Sequence, residues 1–163
     1  MSRTVQPVAR WAVATTFLLS LVGLGISIYL TITHFRPMLL VCSSTGTIDC
    51  AAVTTSAQSY FLGVPVAILG LANFVVMSVL NSPWGWRARA YWIHVARFVL
   101  AIAGMVFVLW LLSAELLIID HVCLWCTGVH VVMFALVIVL TRATPAQQGF
   151  RLESGVDPQP RVT

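Results

Sequence analysis

The sequence predicts an all-α integral membrane protein, a bundle of four spanning helices with both termini in the cytoplasm. Three observations predict it. Of 163 residues, 60% are hydrophobic and 9% charged, against about 45–50% and about 25% in soluble domains. Four apolar runs, at residues 11–35, 63–80, 91–117 and 122–141, reach or approach the roughly 20 residues that carry a helix across a bilayer. Every side-chain cation other than histidine is an arginine, and the arginines lie near the ends of those runs.

Residues 1–10 form a short cytoplasmic N-terminus carrying Arg3 and Arg10. The first run, "WAVATTFLLSLVGLGISIYLTITHF", exceeds the roughly 7–15 apolar residues of a signal-peptide core, and no A-x-A site follows, so it is expected to stay as an uncleaved helix. Gly23 and Gly25 within it permit close approach of a second helix. Residues 36–62 form an outer loop. The second run carries Pro65 at its head, where a helix tolerates proline. Arg97 lies inside the third run and is expected to snorkel to the inner surface. Residues 142–163 are polar, include three prolines and read as a disordered cytoplasmic tail. With the N-terminus inside, Arg3, Arg10, Arg87, Arg89, Arg142, Arg151 and Arg161 lie on the cytoplasmic side, and Arg36 alone lies outside. Arginines dispersed in this way orient a membrane protein and form no patch for nucleic acid. The lysine-free composition, rich in Ala, Val and Arg, points to a GC-rich bacterial genome, hence to a bacterial cytoplasmic membrane.

This topology puts all four cysteines on the outer, oxidising side. Cys42 and Cys50 lie in the loop 36–62; Cys123 and Cys126 open the fourth run as "CLWC". Three readings compete. Zinc takes four ligands, often as two close pairs, but disulfides persist on this face, and no metal is expected. A structural staple is open to Cys42 and Cys50, which flank "SSTGTID", where a turn at Gly46 can bring them together; it leaves the C-x-x-C without a role. An electron relay uses all four. On a helix, Cys123 and Cys126 share a face. Asp120 is the expected N-cap, with Cys123 at the third position, where free N–H groups favour thiolate. A pair in the loop meets a water-soluble dithiol; a pair at the membrane edge meets a lipid-soluble oxidant. His130, four residues past Cys126 on the same face, is a candidate to bond a quinone oxygen or move a proton, or a polar residue packed in the bundle. Trp125 is placed to stack on a ring or to anchor at the interface. Asp120 and His121 read as cap residues, Asp49 as loop, and Glu115 as interfacial.

The pattern C-x7-C-x2-V-x2-S (Cys42, Cys50, Val53, Ser56), the "FLGVP" of residues 61–65 and the "CLWC" together resemble the vitamin K epoxide reductase family and its bacterial homologues. The resemblance spans residues 11–141 and fits a stand-alone bacterial member. It implies a four-helix bundle around a quinone, menaquinone or ubiquinone, with the cysteine loop over its outer end. Cys126 would face the quinone, Cys123 would form a transient disulfide with Cys50, and Cys42 would meet a DsbA-like thioredoxin-fold protein. Ser56 and Phe61 would line the quinone pocket, with Trp125 and His130. Where animal members carry an asparagine before the second helix, this sequence offers Gln58 or Ser59; where they carry a tyrosine below the C-x-x-C, it has His130. The implied activity is a monomeric thiol–quinone oxidoreductase that supports disulfide formation. The alternatives are vitamin K epoxide or quinone reduction, and a non-enzymatic tetraspan protein whose cysteines are staples. A DsbB-like protein would place its C-x-x-C in the first outer loop instead.

Overall fold

A computed structural model describes residues 9–42, 45–88 and 90–148. The chain opens with α1 (Arg10–Phe35), turns through a short 3-10 segment (Pro37–Leu39), and enters α2 (Cys50–Thr54). A second 3-10 turn (Ala57–Ser59) leads into a two-stranded hairpin, β1 (Tyr60–Phe61) and β2 (Val64–Pro65). Then come α3 (Val66–Leu80), α4 (Pro83–Arg87), α5 (Tyr91–Ala114) continued by a π-helical turn (Glu115–Ile119), and α6 (Leu124–Gln148). Among the described residues, three helices have membrane length and hydropathy: Arg10–Phe35, Trp92–Ile119 and Leu124–Ala143.

The second run departs from expectation. Its helix, α3, has 15 residues, about 22 Å at 1.5 Å per residue, short of a hydrocarbon core about 30 Å thick. The reason lies at both ends. Residues 60–65 are spent on the hairpin, which pairs Tyr60 with Pro65 and Phe61 with Val64. Leu62 and Gly63 turn it with φ of 52° and 82°, the two positive φ values of a type I′ turn. Pro65 therefore precedes α3 instead of lying in its first turn. At the other end Asn81, Ser82 and Pro83 stop the helix, and the Ser82 hydroxyl caps α4 through Gly85 N–H. The fourth helix is longer than predicted, reaching Gln148; Arg151, Arg161 and the rest of the expected tail lie outside the described residues.

α1 packs along α3 and α6, while α5 packs on α6 and on α3. The buried stripe of α1 is Ala12, Thr16, Ser20, Gly23, Ser27, Leu30 and Thr33, a row of mostly small side chains that lets backbones approach where lipid supplies no hydrophobic drive. Hydroxyls on that stripe bond back to their own helix, as Ser20 Oγ does to Thr16 O at 2.7 Å. Two also accept from neighbouring elements: Asn81 Nδ2 donates to Ser20 Oγ at 2.9 Å and Trp86 Nε1 to Thr16 Oγ1 at 3.2 Å. Gly23 is essential to this packing, because a Cβ there would overlap the Phe74 ring; Gly25 faces open space and has no such role.

Arg97 does not snorkel. It is buried, and Nε and Nη2 donate to the Leu80 carbonyl at 3.2 and 2.5 Å, satisfying a carbonyl at the C-terminal end of α3. Its Cζ lies 3.8 Å from the Trp86 ring centroid. Replacing Arg97 by methionine keeps most of the volume but strips Leu80 O of its donors. The variant is expected to lose about 2 kcal/mol, read as a lower denaturation midpoint in detergent.

Candidate functional site

The four cysteines converge at one end of the helices. Two peptide-level bonds bring the loop and the C-x-x-C together. Asp49 N–H donates to Val122 O at 3.2 Å and Val122 N–H donates to Thr47 O at 2.9 Å, a parallel bridge between Ile48 and Val122. Parallel pairing carries the next residues of both segments forward side by side. Cys123 follows Val122 directly and Cys50 lies two residues beyond Ile48, and both are buried in one cluster with Val53. Asp49 earns its place as the N-cap of α2: its Oδ1 accepts from the N–H groups of Ala51 and Ala52, each at 3.0 Å.

Cys42 and Cys50 are joined, with an S–S distance of 2.01 Å and Cα atoms 6.1 Å apart. Cys42 is half-buried and Cys50 fully buried. Cys123 and Cys126 are free thiols with their sulfurs in direct contact, so a disulfide can form between them without moving the helix.

Asp120 is not the cap of the last helix. It sits in the left-handed region at φ 56°, a conformation aspartate tolerates, and ends the π-helical turn. His121 Nδ1 lies 2.9 Å from Ile119 O. The cap is Cys123 itself. Thr127 N–H donates to Cys123 O at 2.9 Å, the first helical bond, and Cys126 N–H donates to Cys123 Sγ at 3.2 Å. A sulfur thus occupies the place that a serine or aspartate oxygen takes at other helix starts.

This geometry holds the Cys123 thiol below its ordinary range. The Cys126 S–H bonded to it contributes most, the Cys126 N–H adds to it, and burial works against both. The sign of the stability effect follows. A depressed folded value stabilises the dithiol protein above the unfolded value of about 8.5, and that stability is lost as pH falls through the folded value. In a Cys42→Ser, Cys50→Ser chain, thiolate absorbance is expected to rise at a pH below that of free cysteine; a rise only at or above it contradicts the cap role.

Beneath the sulfurs lies a cavity of about 500 Å³, lined among others by Phe61, Phe74, Phe107, Leu111 and Met133, with Cys126 at its wall. That size is typical of a small-molecule site. Ser56, Phe61 and His130, singled out from sequence, all line it. The Ser56 hydroxyl donates to Val53 O at 2.8 Å, which leaves its oxygen free to accept. Gln58 and Ser59 also line it; the Ser59 hydroxyl donates to Ser56 O, and the Gln58 amide makes no hydrogen bond among the described residues. His130 is buried, and its Nδ1 has no partner among the described residues.

Trp125 is not brought to the cavity. Its Nε1 donates to Val41 O at 3.0 Å and its ring lies 4.5 Å from that of Tyr29. Tyr29 Oη in turn accepts from Val41 N–H at 2.8 Å and donates to Leu39 O at 3.2 Å. Together they fasten the residue before Cys42 to α1 and α6. Sequence reasoning missed Tyr29, for which no local signal exists. It also missed Asn73 and His34, both cavity-lining; a polar residue inside an apolar run was the available signal for Asn73. Glu115, expected at the interface, is 3% exposed and lines the cavity, where α5 passes into the π-helical turn.

Residues 14–141 match the family model described as Vitamin K epoxide reductase family. No curated protein matches the chain.

Proposed function

Because this chain belongs to the vitamin K epoxide reductase family, we propose that it is a membrane thiol–quinone oxidoreductase that reoxidises a soluble thioredoxin-fold dithiol protein outside a bacterial cytoplasmic membrane. One observation carries the reading: the sulfurs succeed one another by depth. Cys42 is half-buried, its bonded partner Cys50 packs with Cys123, Cys123 touches Cys126, and Cys126 reaches an apolar cavity. Two staples would need no such order.

The steps follow from thiol–disulfide exchange. A partner thiolate attacks Cys42 Sγ and displaces Cys50 as thiolate; the partner's second thiol resolves the mixed disulfide and leaves Cys42 and Cys50 reduced. Cys50 then attacks Cys123 in the oxidised C-x-x-C, displacing Cys126. Cys42 resolves the Cys50–Cys123 bond, so the loop disulfide re-forms and Cys123 and Cys126 hold the two electrons. A quinone held in the cavity, menaquinone or ubiquinone, would supply the two-electron acceptor chemistry. The residues present fit it: aromatic and aliphatic walls for a ring and tail, and the unpartnered polar groups of Gln58 and His130 for its oxygens. In the same reading α1, α3, α5 and α6 form the bundle with both termini inside, as the arginine distribution favours.

The test mixes purified protein with a reduced thioredoxin-fold dithiol protein and a short-chain quinone. Hydroquinone equal to the disulfide formed is expected; an unsubstituted chain that oxidises the dithiol without consuming quinone, or does neither, removes the reading.

A further inference from the structure

We infer that Glu115 carries a proton between the Cys126 thiol and the acceptor in the cavity; the inference rests on the thiol–quinone reading above. Glu115 lines the same cavity as Cys126 and His130. It is almost fully buried, and its Oε2 has no hydrogen-bond partner among the described residues. Both sulfurs of the C-x-x-C lie within its electrostatic reach. No cation among the described residues pairs with it. A buried carboxyl without an ion pair or a full set of donors is costly, and within a membrane such a group marks a functional path.

The titratable groups around it are few. α6 supplies Cys123, Cys126 and His130, α1 supplies His34, and α3 supplies none. On the side of α2, Cys50 is held in a disulfide and the Asp49 carboxylate accepts from Ala51 and Ala52. Among the described residues, Glu115 is the one carboxyl lining the cavity, which it shares with Cys126 and the imidazoles of His34 and His130.

The chemistry requires such a group. Two thiols and a quinone give a disulfide and a hydroquinone: two electrons and two protons pass from sulfur to oxygen. As the Cys123–Cys126 bond forms, the Cys126 S–H bond breaks, its proton goes to a Glu115 oxygen, and Glu115 delivers a proton to one acceptor oxygen. The Cys123 proton is released as well and the second acceptor oxygen takes up one proton, so two protons leave sulfur and two reach oxygen.

Glu115→Gln preserves shape but cannot exchange a proton in this way. In a single turnover, reduction of the Cys42–Cys50 disulfide by the dithiol protein is expected to stay within about twofold, while hydroquinone formation falls by about a hundredfold. A second measurement needs no acceptor. Glu115 and Glu153 are the chain's glutamates, so carboxyl-labelled glutamate in a Glu153→Gln chain reports Glu115 alone. Its carbonyl stretching band is expected to shift when the C-x-x-C passes from disulfide to dithiol. A silent band, or hydroquinone formation in E115Q within about threefold of the unsubstituted chain, overturns the inference. If E115Q does not fold, the labelled band decides alone. Absence of quinone reduction in the unsubstituted chain would instead remove the function reading.

Discussion

A Cys126→Ala chain is expected to form hydroquinone at the uncatalysed rate, a loss of at least about a thousandfold. The expectation follows from position rather than from cysteine chemistry in general. Among the four sulfurs, Cys126 alone belongs to a residue lining the cavity; Cys50 and Cys123 are sealed in the cluster with Val53, and Cys42 lies toward the loop surface. No remaining sulfur has access to both a partner sulfur and the acceptor. Reduction of the Cys42–Cys50 disulfide by the dithiol protein is expected to persist in this variant, because that attack takes place at Cys42, on the far side of the pair. Stopped-flow traces of the two half-reactions separate the effects: the first keeps its rate and the second disappears. Loss of both instead would mean that Cys126 supports the loop and does not pass electrons.

The largest loss of stability is expected from Phe74→Ala. Phe74 is 2% exposed, and its ring fills the groove that Gly23 leaves on α1. Removing the ring opens a void between α1 and α3 and merges it with the cavity below, which Phe74 also lines. In soluble cores such a truncation costs about 3–5 kcal/mol. Here the lower end, about 3 kcal/mol, is expected, since lipid replaces water as the medium of the separated helices and packing alone is lost. The denaturation midpoint in detergent measures it. A rescue by Gly23→Leu, whose side chain would enter the vacated space, would tie the loss to that groove.

Much of this was legible in the sequence because bilayer physics is restrictive. Long apolar runs must be helices, and α1, the α5 span and α6 lie where the runs predict. The hairpin before α3 was not legible: Leu62 and Gly63 make a type I′ turn without the Asn-Gly signature, inside an apolar stretch that reads as the start of a helix. The convergence of Cys50 on Cys123 depends on hydrogen bonds between Thr47, Asp49 and Val122, more than 70 residues apart in the chain, which no local pattern encodes. Cys123 as helix cap escaped for a different reason. Sulfur is not among the residues that signal a helix start, and Asp120, which is, was turned aside by its left-handed backbone. Trp125 and Tyr29 illustrate the same limit, since an aromatic pair at a membrane edge reads the same whether it faces a ligand or clamps a loop.

The account turns on the contact between the two cysteine pairs, and mapping disulfides in the Cys126→Ala chain tests it most directly. With Cys126 absent, the chain is oxidised in stoichiometric steps and the free thiols are alkylated before digestion. Mass spectrometry is then expected to find Cys50 bonded to Cys123, with Cys42 alkylated. A Cys42–Cys123 bond, or Cys123 alkylated in every molecule while Cys42–Cys50 stays closed, would contradict the relay.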